Sequence, residues 1–70
     1  MPNTDLIEIG NRISKRRKHL GLTQEALAEK MNVSVQMISN LERGNKAIKI
    51  ENLIKNSDIL NVSTDYILKG

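Results

Sequence analysis

The sequence has no cysteine, phenylalanine or tryptophan, and its one aromatic side chain is a tyrosine. The lack of cysteine excludes disulfides and thiolate metal sites. The core must therefore be built from Leu, Ile, Val and Met, and few side chains could stack on unpaired bases. No apolar run approaches the ~18 residues that a membrane span needs, and the N-terminus lacks the apolar segment of a signal peptide. These absences predict one small cytoplasmic domain without a membrane partner.

Apolar side chains recur at helical spacing, and no stretch alternates as a strand would. A first helix is predicted from about Asp5 to His19. Its inward face should carry apolar side chains at spacings of three, four and seven, namely Leu6, Ile9, Ile13 and Leu20. Arg17 lies on the same face and needs a partner, because an unpaired buried charge is very costly. Glu42, one turn after Ile38 on the third predicted helix, is the candidate.

Residues 23–43 predict two short helices joined by a tight turn. Thr23 and Ser34 each precede a helical repeat, and their hydroxyls can cap the amides of a helix start. Asn32 lies between the two helices, where its tolerance of left-handed backbone lets the chain reverse. The inner side of this unit is predicted to hold Leu27, Met31, Val33, Ile38 and Leu41.

Two more helices are predicted in the C-terminal third. The fourth should run from about Lys49 to Leu60, with Ile50, Leu53 and Leu60 facing inward. Asn61 is suited to the left-handed residue that ends a helix. Ser63 can cap a short fifth helix that continues through Leu68. The sequence therefore predicts an all-α fold.

The net charge is only +3, so the placement of charge matters more than its sum. Five basic residues and no acid lie from Arg12 to Lys18. Such a run is either a solvated helix face, which suits Lys15 and Lys18, or a surface that attracts phosphates. The phosphate interpretation is favoured because further cations lie near the third helix, at Arg43, Lys46 and Lys49.

Five segments of the sequence match one known pattern. They are RRKHLG (16–21), GLTQEALA (21–28), VS (33–34), ISNLERG (38–44) and ILNVSTDYIL (59–68). In these segments the chain resembles the Cro/repressor (XRE-type) helix-turn-helix family over nearly its whole length. The resemblance implies a compact five-helix, lambda-repressor-like domain over residues 1–70, with an ordered core of about 5–69 and the helix-turn-helix in helices 2 and 3.

The resemblance also implies roles for particular residues. In the family, the residues matching Arg17 and Glu42 form a largely buried salt bridge between the first and third helices, so a structural role is expected for this pair. Gln24 resembles a glutamine that contacts a DNA phosphate. Asn56 and Ser57 depart from the usual Ile and Ala. They indicate either a softer fourth helix, which is favoured, or a polar contact with a second subunit.

The outward side of the third helix predicts how DNA would be recognised. Once its apolar side is buried, base contacts are expected from Val35, Gln36, Ser39 and Asn40. A carboxamide can bond N6 and N7 of adenine together, which suits Gln36 and Asn40. Phosphate contacts are expected from Gln24, Arg43, Asn45 and Lys46. Short polar residues could instead only solvate an exposed face, and for Ser39 the two interpretations are equally weighted.

The predicted partner is double-stranded DNA, read by a homodimer. One such domain covers too few base pairs for useful specificity, so two subunits should bind a palindromic or near-palindromic operator with half-sites roughly 34 Å apart. Tyr66, Ile67 and Leu68 could form the subunit interface or could close the core of their own subunit. The sequence indicates no small-molecule ligand.

Two other classes of function fit the sequence less well. The lone His19 has no evident companions, so no catalytic residue, metal site or cofactor is predicted. The resemblance favours a repressor among DNA-binding regulators. The alternative to a regulator is an antitoxin or another protein-interaction module on the same scaffold. Bulky or acidic residues on the outer face of the third helix would have favoured that alternative, and Gln36, Asn40 and Arg43 do not.

Overall fold

Five α-helices make up the fold in a computed structural model that describes residues 5–70. They are α1 (Leu6–His19), α2 (Gln24–Met31), α3 (Val35–Glu42), α4 (Ile50–Leu60) and α5 (Thr64–Lys69). No strand occurs within this described part, so the all-α, five-helix prediction is confirmed there. Residues 1–4 of the predicted domain lie outside the described residues.

Polar side chains begin four of the helices. The Asp5 carboxylate accepts from the amide of Ile7 at 2.9 Å at the start of α1. Hydroxyls of Thr23, Ser34 and Ser63 each accept from the amide three residues later, at 3.0 to 3.1 Å. Lys49 precedes α4 without a side-chain cap bond. The three caps predicted from hydroxyl residues are therefore confirmed.

The core lies where α1 packs on α3, α4 and α5 while α2 packs on α3 and α4. It is aliphatic, as the composition required, and its buried cluster comprises Ile9, Ile13, Leu27, Ala28, Met31, Ile38, Leu53, Leu60 and Ile67. Ile67 is fully buried, and Tyr66 and Leu68 pack against the same cluster. The C-terminal apolar residues therefore close the core of the same chain.

Two apolar residues predicted to face inward are exposed. Leu20 is 40% exposed, because it lies beyond the last residue of α1, where the helical spacing no longer applies. Ile50 is 76% exposed. The inner face of α4 carries the buried Asn52 and Asn56, and Ile50, the first residue of the helix, does not lie on that face.

The arginines of the basic run on α1 bind within the fold. Arg12 donates to the carbonyl oxygen of Ile67 at 3.1 Å, and Arg16 donates to that of Leu60 at 2.8 Å. Both carbonyls lie in the last turn of a helix, where the backbone favours positive charge. Arg17 is buried against Glu42. The favoured interpretation of the run as a surface that attracts phosphates is therefore wrong for the buried Arg17, and it stays a prediction for the rest of the run.

Gly10 allows α1 and α3 to cross closely. A Cβ atom at this position would lie 2.4 Å from the backbone oxygen of Leu41, a separation that no relaxed contact permits. The close crossing brings the buried side of α1 against the end of α3. Arg17 and Glu42 lie on these two helices and are joined by a bond of 2.6 Å.

Candidate nucleic-acid interface

The turn between α2 and α3 holds the two helices at a fixed angle. Asn32 ends α2 with φ 59° and ψ 46°, the left-handed conformation that its position predicted. The amide of Val33 then donates to the carbonyl of Ala28 at 3.0 Å, which closes the end of α2. Ser34 caps α3 immediately afterwards. Because each step is hydrogen-bonded locally, the chain presents α3 as a defined helix and not as a loop.

The inner side of α3 is buried and its outer side is open. Ile38, Leu41 and Glu42 are buried, at 1%, 5% and 8% exposure. Each of the four residues predicted to contact bases keeps exposed surface: Val35 and Gln36 are exposed, and Ser39 and Asn40 are half-buried. The structure therefore brings these four side chains to the accessible part of one short helix.

Three polar side chains on this outer face are hydrogen-bonded to one another. Gln36 Nε2 donates to Asn40 Oδ1 at 3.2 Å. A guanidinium nitrogen of Arg43 donates to the same oxygen at 3.3 Å. Asn40 therefore joins one end of the outer face of α3 to the residue that follows the helix.

The residues predicted to contact phosphates lie at both ends of the helix-turn-helix. Gln24 is the first residue of α2 and is half-buried. Arg43, Asn45 and Lys46 are exposed in the turn after α3. The amide of Asn45 donates to the carbonyl of Asn40 at 2.9 Å, so this turn is tied to the last turn of α3.

A buried ion pair fixes α3 to α1. Arg17 Nε donates to Glu42 Oε2 at 2.6 Å, and Arg17 Nη2 donates to Glu42 Oε1 at 3.0 Å, which is the bidentate geometry that strengthens such pairs. Arg17 Nη1 also donates to the carbonyl of Leu22 at 2.8 Å. Glu42, the partner that the sequence predicts for Arg17, is therefore confirmed.

Gln24 connects this ion pair to the surface. Its Nε2 donates to Glu42 Oε1 at 3.0 Å. Burial would raise the pKa of Glu42, but the hydrogen bonds from Arg17 and Gln24, with the charge of Arg17, outweigh it and lower that pKa below its ordinary value. The carboxylate is therefore ionised at neutral pH and holds both partners.

Two asparagines of α4 are buried, which the sequence did not predict, and one of them contacts α3. Asn52 is buried, and its Nδ2 lies 3.5 Å from the sulfur of Met37 on α3. Asn56 is fully buried, and its Nδ2 donates to the carbonyl of Asn52 at 3.0 Å. The Asn56 Oδ1 atom has no hydrogen-bond partner among residues 5–70. Helical spacing from Leu53 and Leu60 was the one signal that could have placed these two residues inward.

Neither a metal centre nor a membrane span is found in the described part of the chain. No group of three or more His, Cys, Asp or Glu side chains among residues 5–70 could hold a metal ion. None of the helices there is both long enough and apolar enough to cross a bilayer.

The sequence model of the helix-turn-helix family matches residues 13–67, which include all of α2, α3 and α4. This chain belongs to the helix-turn-helix family, in its Cro/repressor branch. It is 39% identical over 62 residues to the HTH-type transcriptional regulator ImmR of Bacillus subtilis (strain 168), an alignment that covers 89% of this chain and 49% of ImmR. The chain spans about half the length of the first curated relatives it matches.

Solved structures share the fold closely. The P22 c2 repressor in complex with a synthetic operator superposes with a TM-score of 0.85 at 44% identity, covering 89% of this chain and 94% of that one. The restriction-modification controller protein C.AhdI from Aeromonas hydrophila superposes with a TM-score of 0.86 at 26% identity, covering 91% and 97%. The lambda-repressor-like arrangement implied by the sequence resemblance is therefore confirmed.

Proposed function

We propose that this chain is a sequence-specific, double-stranded DNA-binding transcriptional regulator, a repressor, that reads the major groove with α3. The observation that carries the proposal is the two-sided character of α3. Its inner side is locked to α1 through Glu42, while its outer side presents linked amide and guanidinium groups from Gln36, Asn40 and Arg43. A rigid helix with such an outer face fits the width of the major groove.

The proposed roles of the side chains follow from their positions. Base contacts are assigned to the outer face of α3, from Val35, Gln36, Ser39 and Asn40. Phosphate contacts are assigned to the ends of the unit, from Gln24, Arg43, Asn45 and Lys46. Gln24 donates one amide hydrogen to Glu42 and has a second one that a phosphate oxygen could accept. Contacts at the ends would set the register in which α3 enters the groove.

We further propose that the chain acts in the cytoplasm as a homodimer on a palindromic or near-palindromic operator, as a binding protein and not as an enzyme. Support comes from its relatives, since the P22 protein is a repressor whose structure was solved on a synthetic operator. A two-fold axis would place two copies of α3 in successive major grooves, roughly 34 Å apart.

The test is selection of bound sequences from a random duplex pool at low salt, followed by affinity measurements on the enriched duplex. A dimer that makes about 6 to 10 phosphate contacts should lose roughly 10³- to 10⁵-fold in affinity between 50 and 200 mM salt. If no duplex is enriched and no pool binds at low salt, the proposal is wrong, and a protein-interaction module such as an antitoxin becomes the better explanation.

Two substitutions test the assignment of roles. Gln36→Ala should cost about 1 to 3 kcal/mol of binding on the best operator and relax the preference at one base pair of each half-site. Lys46→Ala should weaken all duplexes about equally and lower the salt slope by about 1 per lost contact. Lys69→Ala removes an exposed lysine from α5, which packs on α1 and α4, and serves as the matched control. A Lys46→Ala variant that alters base preference while Gln36→Ala does not would show that α3 is docked differently.

A further inference from the structure

We propose that Asn40 acts mainly as a positioning residue, whose side-chain oxygen holds Gln36 in the orientation that reads an adenine, and that it does not itself read one. This inference rests on the proposed function and replaces the base contact assigned there to Asn40 with a positioning role. It divides the outer face of α3 into one residue that specifies a base and one that orients it.

The acceptor capacity of Asn40 is already used within the protein. A carbonyl oxygen has two lone pairs, and Asn40 Oδ1 accepts one hydrogen bond from Gln36 and one from Arg43. Bidentate contact with adenine requires a carboxamide that accepts from N6 while it donates to N7. With its oxygen occupied twice, Asn40 retains donor hydrogens but lacks the free acceptor that such a contact needs.

Gln36 retains the complementary groups. It spends one hydrogen of Nε2 on Asn40, which leaves a second hydrogen on that nitrogen. Its Oε1 atom accepts none of the hydrogen bonds found among the described residues. Gln36 therefore keeps one donor and one acceptor, which is the pair that an adenine edge requires. It is also exposed near the start of α3, which is the end of a recognition helix that meets base edges.

The bond to Asn40 lowers the cost of ordering Gln36. A free glutamine side chain has three rotatable bonds, and binding must immobilise them. A bond from Nε2 to a residue one turn later restricts them before DNA arrives. The bond from Arg43 to the same oxygen keeps Asn40 itself in place. The orientation of Gln36 therefore depends on Asn40 and, through Asn40, on Arg43.

Two substitutions at Asn40 separate positioning from direct contact. Asn40→Ala removes the shared acceptor. Asn40→Asp keeps acceptor oxygens for Gln36 and Arg43 but replaces the donor amide. Lys69→Ala removes an exposed lysine of α5, outside the residues proposed to contact DNA, and is the control. Each variant is compared with Gln36→Ala by selection from a random duplex pool and by affinity for single-base variants of the operator, with circular dichroism to show that it is folded.

We expect Asn40→Ala to weaken discrimination at the same base pair as Gln36→Ala, by about 2- to 10-fold, the range that one net hydrogen bond supplies. The Gln36→Ala/Asn40→Ala double variant should lose no more discrimination there than Gln36→Ala alone, because Asn40 would act only through Gln36. Asn40→Asp should retain that base preference while its added negative charge weakens binding to every duplex. In the free protein, the side-chain amide resonances of Gln36 should shift in Asn40→Ala and stay in place in Lys69→Ala.

Other outcomes would overturn the inference. If Asn40→Ala abolishes preference at a different base pair and its effect adds to that of Gln36→Ala, then Asn40 reads a base of its own. If Asn40→Ala leaves every preference unchanged, the positioning role is wrong while the proposed function stands. If the unsubstituted chain selects no duplex at all, the proposed function itself is wrong.

Discussion

Replacing Glu42 with alanine would leave the Arg17 guanidinium buried between α1 and α3 without its carboxylate. Arg17 is 7% exposed, so water cannot readily replace the two lost hydrogen bonds of 2.6 and 3.0 Å. Breaking a buried pair by removing one partner costs about 3 to 5 kcal/mol. Arg17 keeps its bond to the carbonyl of Leu22, so we expect a loss near the lower end, about 3 kcal/mol.

The expected loss is large for a protein of this size. At 0.05 to 0.15 kcal/mol per residue, a 70-residue domain has a free energy of unfolding of roughly 4 to 10 kcal/mol. The Glu42→Ala variant should therefore lose about a third or more of its stability. Urea denaturation followed by circular dichroism at neutral pH measures this directly, as a lower midpoint with an unchanged slope.

Glu8→Ala is the matched control for this measurement. Glu8 pairs with Arg12 one turn later at 3.1 Å, but its side chain is 62% exposed, and such pairs contribute only about 0.3 to 0.5 kcal/mol. A second variant, Arg17→Met with Glu42→Leu, removes both charges and should recover most of the lost stability. If Glu42→Ala is no less stable than Glu8→Ala, then the pair contributes nothing beyond a surface contact, and the reasoning from burial is refuted.

Three further predictions concern pH, a buried amide and a helix crossing. Folding lowers the pKa of Glu42, so its ion pair stabilises the fold fully above the pKa that Glu42 has in the unfolded chain, and this stability is lost as the pH falls through the pKa of Glu42 in the folded protein. Urea midpoints measured between pH 7 and 2 should therefore fall more steeply in the unsubstituted protein than in Glu42→Gln. Parallel curves would contradict this. Asn56→Leu should raise the free energy of unfolding by about 1 kcal/mol, since it removes a fully buried oxygen without a partner, and a loss on urea denaturation would show that this oxygen is satisfied. Gly10→Ala should destabilise by about 1 to 3 kcal/mol through its clash with Leu41, although the same change in an exposed helix stabilises, so a raised thermal midpoint would refute the close crossing.

The helix ends were predictable from the sequence because capping is a local interaction. The hydroxyls of Thr23, Ser34 and Ser63 bond amides only three residues away, so no distant element is needed to place them. Asn32 and Asn61 adopt the left-handed conformation for the same reason, with φ of 59° and 55°. The helix-turn-helix unit between residues 23 and 43 follows from these local signals.

The Arg17 and Glu42 pair was also predictable, although its members lie 25 residues apart. An arginine on an apolar face requires a compensating group, and the family resemblance supplied the same partner. The geometry of the pair, with bonds of 2.6 and 3.0 Å, depends on how α1 packs on α3 and is given only by the structure. The involvement of Gln24, which bonds the same carboxylate, could not be inferred from spacing.

The direction in which α4 faces was decided by the tertiary structure. Its sequence offers apolar residues on two sides, and Ile50 and Ile54 are left exposed while Asn52 and Asn56 are buried. Hydrophobic periodicity shows where apolar residues recur, but it does not show which polar residues will find hydrogen-bond partners inside the fold. Here Met37 is the partner of Asn52, and the backbone of α4 is the partner of Asn56.

The role of the basic run on α1 was likewise set by long-range contacts. The carbonyls that bind Arg12 and Arg16 lie 55 and 44 residues away in the sequence, at the ends of α5 and α4. A charge count reports that cations are present, but only the packed helices show which carbonyls lie within reach. Local hydrogen bonds therefore placed the helices, whereas the burial of each face and the partner of each charge depended on contacts that form when the chain is folded.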